Sequence, residues 1–179
     1  MFENIRCEAY GPRGAALVID CRTDSRDRTI AQVRQVVREH GGYPGAPGAV
    51  SYLFNEVGRL IFPPGTNATR LTKAAVQAGA EDVLPVHPRM GASREAPGMG
   101  GSLEVLTDPI DLESVRGALQ AAGFTPVSAQ KTWRASITVP LEGEAAVSMM
   151  HLIQALKDLH DVENVYTNVE IPDEVVARF

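Results

Sequence analysis

Five arginines, Arg22, Arg26, Arg28, Arg34 and Arg38, crowd one short stretch of the chain. A guanidinium is always charged, and its planar fork of N–H donors matches a phosphate group. Arginines gathered in this way are the chemistry of a surface that contacts the backbone of DNA or RNA. If the stretch is helical, each residue turns the side chain by 100°. Arg34 and Arg38 then lie beside the apolar stripe Ile30, Val33 and Val37, and Arg28 points away from it. The same stretch holds Asp24, Asp27 and Glu39. The competing reading is therefore a solvated helix flank on which the charges pair with one another.

Other candidates for chemistry are sparser. Residues 87–101 carry His87, Arg89 and Arg94 among several glycines, which reads as a binding loop or as a disordered one. Trp133 is either a stacking surface for a base or partly buried packing. The histidines, His40, His87, His151 and His160, show no metal-ligand spacing among themselves or with a cysteine. Gly11-Pro12-Arg13-Gly14 lacks the Lys-Ser/Thr of a phosphate loop, and no serine stands in a G-x-S-x-G context. No catalytic residue, metal or cofactor is expected, and the protein reads as a non-enzyme. Asn67-Ala68-Thr69 has the form of a glycosylation sequon but reads better as a helix start. Cys7 and Cys21 fall in apolar runs, and a turn at Gly11–Gly14 places Tyr10 opposite Ala15 and Cys7 opposite Val18. The two are expected to be buried free thiols of a reducing compartment.

Composition sets the frame for these groups. With 44% apolar and 22% charged residues the chain can bury a core. It holds no run near the roughly 18 apolar residues of a membrane span, and its first residues have no signal-peptide pattern. A cytoplasmic protein without a membrane partner is the expectation. Charge is unevenly spread. Residues 1–54 carry 7 basic and 6 acidic side chains, residues 55–135 carry 8 of each, and residues 136–179 carry 2 and 8. Nucleic-acid affinity comes largely from neutralised phosphates, so a contact surface belongs in the first 54 residues.

The elements that must position the arginines follow from period and punctuation. Residues 4–10 and 15–21 alternate about a Gly-Pro turn and read as a hairpin. A helix begins at Asp24-Ser25-Arg26-Asp27, where Asp24 or Ser25 can cap, and stops at Gly41-Gly42. Strands are expected at 50–54 and 58–62, a helix at 67–78, and strands at 82–86 and 102–107. Asp108-Pro109-Ile110-Asp111 opens a further helix that Gly123 ends, and a strand begins at Pro126. Residues 58–135 thus read β-α-β-β-α-β, the ferredoxin-like order. A strand at 137–141, a helix at 144–159 and a strand at 164–171 complete the chain. Neither end makes a two-layer core alone. The expected fold class is α+β with two domains: a ferredoxin-like βαββαβ domain of residues 57–135, inserted into a discontinuous α+β domain of residues 1–56 and 136–179.

Several segments together resemble the YebC/PmpR family. Glu8-Ala9-Tyr10-Gly11-Pro12-Arg13-Gly14 is similar to its E-x-Y-G-P-x-G. Asp24–Thr29 with Val33-Arg34 resembles D-N-R-N-R-T-x-x-E-V-R, and His40-Gly41-Gly42 followed by Gly48–Phe54 resembles H/C-G-G…G-S-V-x-x-x-F. Ala78-Gly79-Ala80-Glu81-Asp82-Val83 matches A-G-A-E-D-V, and Asp161–Asn168 resembles D-D-V-Q-x-V-Y-H-N. The family is similar also to the mitochondrial translational activator of cytochrome c oxidase subunit I. The resemblance implies a three-domain parent whose basic helical first domain is not matched here, and whose third domain is ferredoxin-like and inserted in the second. It implies a regulator of gene expression, acting on DNA in transcription or on RNA or the ribosome in translation. The chain departs from the pattern at Ser25-Arg26-Asp27-Arg28, at Gly41-Gly42-Tyr43, in the long loop 87–101 and at Trp133-Arg134-Ala135.

The leading expectation is a nucleic-acid- or ribosome-associated regulator that uses the five arginines. The alternative is a protein-interaction module that pairs with itself, with full-length relatives or with another factor. An enzyme or small-molecule sensor rests on fold analogy alone.

Overall fold

The computed structural model describes residues 1–86 and 101–179. These fall into two compact units, one made of Met1–Asn55 and Arg134–Phe179, the other of residues 56–86 and 101–133. The mixture of helices and sheets makes the chain α+β.

In the first unit, β1 (Glu3–Tyr10) and β2 (Ala16–Thr23) form the antiparallel hairpin that the alternation anticipates. The register differs by one from the sequence expectation: Tyr10 faces Ala16, and Cys7 faces Ile19. The cause is the turn. Pro12–Gly14 is a 3-10 turn with Arg13 at φ 57°, and the Gly11 amide donates to the Ala15 carbonyl, so the loop takes one residue more. Cys21 consequently faces Ile5, and the two thiols are diagonal neighbours on one face. Both are free; Cys21 is buried, whereas Cys7 is only half-buried.

Helix α1 (Arg26–Glu39) buries Thr29, Val33 and Val37. Beyond its end, β3 (Tyr43–Pro44) adds to the outer edge of β1 with Tyr43 opposite Tyr10. This close return needs Gly42, since a Cβ there would collide with the Tyr10 carbonyl oxygen. The strand expected at 50–54 is not one. Ser51–Leu53 is a 3-10 turn, and a strand starts only at Phe54. The Glu8 carboxylate explains the difference, because it accepts the amides of Gly48, Val50 and Ser51 that a strand would need for its ladder.

The second unit runs β4 (Phe54–Phe62), α2 (Ala68–Ala78), β5 (Asp82–Pro85), β6 (Leu103–Thr107), α3 (Leu112–Ala121) and β7 (Ser128–Ala135). Its sheet order is β5-β6-β4-β7, the ferredoxin-like arrangement. Asn67 caps α2 by accepting the Arg70 amide, and Asp108 accepts the Ile110 amide ahead of α3. Leu60 and Phe62 of β4 pack with Leu71 and Ala75 of α2, Val105 of β6, and Val115 and Leu119 of α3. His87, Arg89 and Arg94 lie outside the described residues.

The chain then returns to the first unit through β8 (Val139–Pro140), α4 (Gly143–Lys157), β9 (Val162–Thr167), β10 (Val169–Glu170) and α5 (Asp173–Val176). The single strand expected at 164–171 is broken at Asn168. Its side-chain oxygen accepts the Ala16 amide and its carbonyl accepts the Val139 amide. β9 therefore lies antiparallel to β2, while β10 pairs in parallel with β8. The sheet of this unit has the order β3-β1-β2-β9. Helices α1 and α4 share a core with one of its faces, centred on Leu17, Ile19, Val33, Val37, Met149 and Leu152. Among the described residues no helix is long and apolar enough to cross a membrane.

Candidate nucleic-acid interface

The first turn of α1 is held from a distance. Ser25 is the N-cap, yet its side chain makes no capping bond. Its amide donates instead to the Thr23 hydroxyl oxygen at 2.9 Å, at the end of β2. Below it lies Asp161, which enters from the turn before β9 and is 7% exposed. The Thr29 hydroxyl donates to Asp161 at 2.6 Å, and the Thr23 hydroxyl lies 3.2 Å from the same oxygen. Arg28 donates to that oxygen at 3.0 Å, and the His160 ring stands 3.2 Å from the other one. The Asp161 backbone carbonyl also accepts the Arg22 amide. These donors, Thr29 first and then Arg28 and His160, hold the Asp161 carboxyl well below the usual carboxylate range.

This arrangement sorts the five arginines. Arg28 is committed to the fold: one nitrogen sits 2.7 Å from Asp24 and 3.0 Å from Asp161. Arg26 lies 3.7 Å from Glu3 at the surface. Arg22 is exposed, with its guanidinium 5.6 Å over the Phe2 ring centre. Arg34 and Arg38 are exposed and one turn apart. Among the described residues no carboxylate lies within ion-pair distance of either. Of the acids that could have neutralised the cluster, Asp24 goes to Arg28, and Glu39 takes the Gln35 amide.

The flank that carries Arg34 and Arg38 can be placed. Helix α1 packs across β1 and β3, and its Thr29 side turns toward Asp161. Arg34 and Arg26 are the α1 arginines nearest β1. Their charges are felt at Cys7, whose thiol is pulled below its ordinary range by a hydrogen bond with Cys21 first and by the two arginines against the opposing effect of burial.

The remaining candidates do other work. The His40 ring bonds the Val36 carbonyl at the end of α1, and His151 meets the Phe179 ring edge-on. Trp133 is half-buried in β7. No group of three or more His, Cys, Asp or Glu that could hold a metal occurs among the described residues. Sequence reasoning missed Asp161 as the organiser of the helix start; it stands at the head of the Asp161–Asn168 segment quoted above, but nothing local links it to Thr29. It missed equally the carboxylate of Glu8 gathering three amides.

Comparison with known proteins gives one consistent result. Residues 2–169 match the family model described as the TACO1/YebC second and third domain. A probable transcriptional regulatory protein of Halorhodospira halophila is 44% identical over 173 residues, covering 97% of this chain and 65% of that protein. One from Nitrosomonas europaea is 44% identical over 167 residues, covering 93% and 64%. The chain thus spans a little under two thirds of the length of these curated relatives. Among solved structures, a conserved hypothetical protein from Aquifex aeolicus superposes with a TM-score of 0.80 at 35% identity, over 96% of this chain and 66% of that one.

Proposed function

Since this chain belongs to the TACO1/YebC family, matching its second and third domains, we propose that it regulates gene expression by docking on nucleic acid rather than by making or breaking bonds. The names of its relatives, probable transcriptional regulatory proteins, support the regulatory part of this reading. The observation that carries the docking part is the exposed pair Arg34 and Arg38, left without carboxylate partners among the described residues while Arg28 is spent on Asp161. In this reading Arg34 and Arg38 take backbone phosphates, Arg22 and Arg26 extend the contact, and Arg28 holds the helix that presents them. The protein would work in the cytoplasm, on DNA as a transcriptional regulator or on RNA or the ribosome as a translational one.

The test is binding of the chain to a DNA duplex, an RNA strand and ribosomes over a salt series. Binding should weaken steeply with salt. The double reversal R34E/R38E should lower affinity for all sequences alike and flatten the salt slope by about 1 per lost phosphate contact. No binding to any of the three at low salt, or binding indifferent to the reversal, ends the reading.

A second reading, a module that docks on another protein or on a second copy, draws on β9. It is the outer strand of its sheet and lies in the acid-rich end of the chain, with Glu163 exposed. Light scattering that finds only a monomer at high protein concentration, together with intact nucleic-acid binding, would remove it.

A further inference from the structure

Tyr43 stands at one of the positions where the chain departs from the family pattern, and the fold gives its ring a defined place. It stacks on Tyr10 with ring centres 5.0 Å apart and planes 29° from parallel. The backbones of the two residues are paired across β1 and β3. Tyr10 is half-buried, and its hydroxyl donates to the Ala49 carbonyl at 3.4 Å. One face of the Tyr43 ring is therefore occupied by a held neighbour, yet the side chain remains 56% exposed. A ring covered on one side only presents its other side to solvent. Its position costs little further entropy to fix, because Gly42 and the Tyr10 pairing already restrain the backbone.

The surroundings of this ring are those of a strand-binding edge. Tyr52, 74% exposed, stands on the 3-10 turn Ser51–Leu53, next to the amides gathered by Glu8. The same loop reaches back to Tyr10 through Ala49. Tyr43 lies on the side of the sheet away from α1, since its partner Tyr10 alternates with the core residue Ala9. Arg34 and Arg38 are exposed on α1, which packs against β1 and β3 from the other side of the sheet. An aromatic ring on one side of an edge and exposed guanidinium groups on the other would meet the base and the phosphate of one chain passing around it.

We propose that the β1–β3 edge is a site for an unpaired polynucleotide strand, with a base continuing the Tyr10–Tyr43 stack and Arg34 and Arg38 meeting the strand's phosphates. Base faces inside a duplex are covered by their neighbours, so an aromatic side chain reaches one only where the strand is single. Charge and shape together select the occupant: two cations without carboxylate partners among the described residues call for an anionic chain, and a ring with one open face calls for a planar group on that chain. This proposal rests on the reading that the α1 arginines contact nucleic acid and adds which form of nucleic acid they contact.

Fluorescence anisotropy with oligo-U, oligo-dT and a blunt DNA duplex of matching length, at low salt, tests it on the wild type, Y43A, Y43L, Y43F and R34E/R38E. The single strands should bind more tightly than the duplex. Y43A should lose roughly tenfold in single-strand affinity and nothing on the duplex, and Y43F should keep wild-type affinity. Y43L covers the case in which the alanine variant loosens the turn, because it packs on Tyr10 without offering a π face and should lose affinity as Y43A does. Equal affinity for oligo-U and oligo-dT supports pure stacking; tighter oligo-U binding supports the site and assigns RNA. If R34E/R38E weakens binding while the Tyr43 variants do not, or if the duplex binds as well as the strands, the stacking site is overturned and the arginine reading survives. If no probe binds at all, both fall. Competition by a poly-glutamate peptide as effective as that by oligo-U also overturns the site, since it would mark a surface for acidic chains in general.

Discussion

Thr29 and Asp161 are 132 residues apart in the sequence, and the Thr29 hydroxyl donates to the Asp161 carboxylate at 2.6 Å. Through this bond the turn before β9 ties down the first turn of α1 and restrains the rotation of the helix about its own axis. That rotation decides which arginines face solvent.

Replacing Thr29 by valine keeps the shape and removes the donor. The carboxylate is left short of its shortest hydrogen bond, and the variant should be less stable. Urea unfolding of the variant should show the lower midpoint with an unchanged slope. The pH dependence of stability follows from the direction of the Asp161 shift. Its carboxyl is depressed in the fold, so its contribution is complete above the unfolded value of about 3.9 and fades as pH falls below it. Asp161→Asn should therefore lower stability at neutral pH and flatten the loss of stability between about pH 4 and 2.

Arg28 and Arg34 should separate by phenotype. Arg28→Ala removes a partner of both Asp24 and Asp161, so its effect should appear as a lower Tm, with nucleic-acid affinity changed only as far as α1 is loosened. Arg34→Ala should leave Tm within a degree or two, as surface substitutions away from such networks do. If Arg34→Ala lowers Tm and Arg28→Ala does not, the assignment of roles is reversed.

Glu8 gives a local test. Burial pushes its carboxyl up, but the amides of Gly48, Val50 and Ser51 outweigh this and hold it below the usual range. Glu8→Ala strands three N–H groups. The loss should be about 1–2 kcal/mol, the lower part of the range for bonds to a charged acceptor because the group is partly solvated. Amide exchange at Val50 and Ser51 should quicken far more than at Val33 in α1.

The ferredoxin-like stretch has its own core, from Leu60 in β4 to Leu119 in α3. Residues 57–135 expressed alone are expected to unfold in one cooperative transition, followed by circular dichroism. Leu119→Ala in that fragment should cost about 2–5 kcal/mol. A broad, non-cooperative melt would show that the stretch is not a domain in its own right.

Much of this molecule is written locally. The hairpin about Gly11–Gly14, the Asn67 cap, the Asp108-Pro109 helix start and the ferredoxin-like element order all rest on interactions within a few residues, and alternation or helical period exposes them to a reader of the sequence. The arginines, too, are visible as a group, because their spacing is a sequence property. Tertiary structure alone decides which of them are spent: Arg28 meets an acid 133 residues away, while Arg34 and Arg38 meet none among the described residues. The same holds where expectation and fold part company. The 3-10 turn at Ser51–Leu53 answers to a carboxylate in β1, and the break at Asn168 answers to an amide in β2. Short-range periodicity carries no record of such partners, because a polar side chain brought in from a distant segment can outbid the local preference for a strand only after the chain has folded around it.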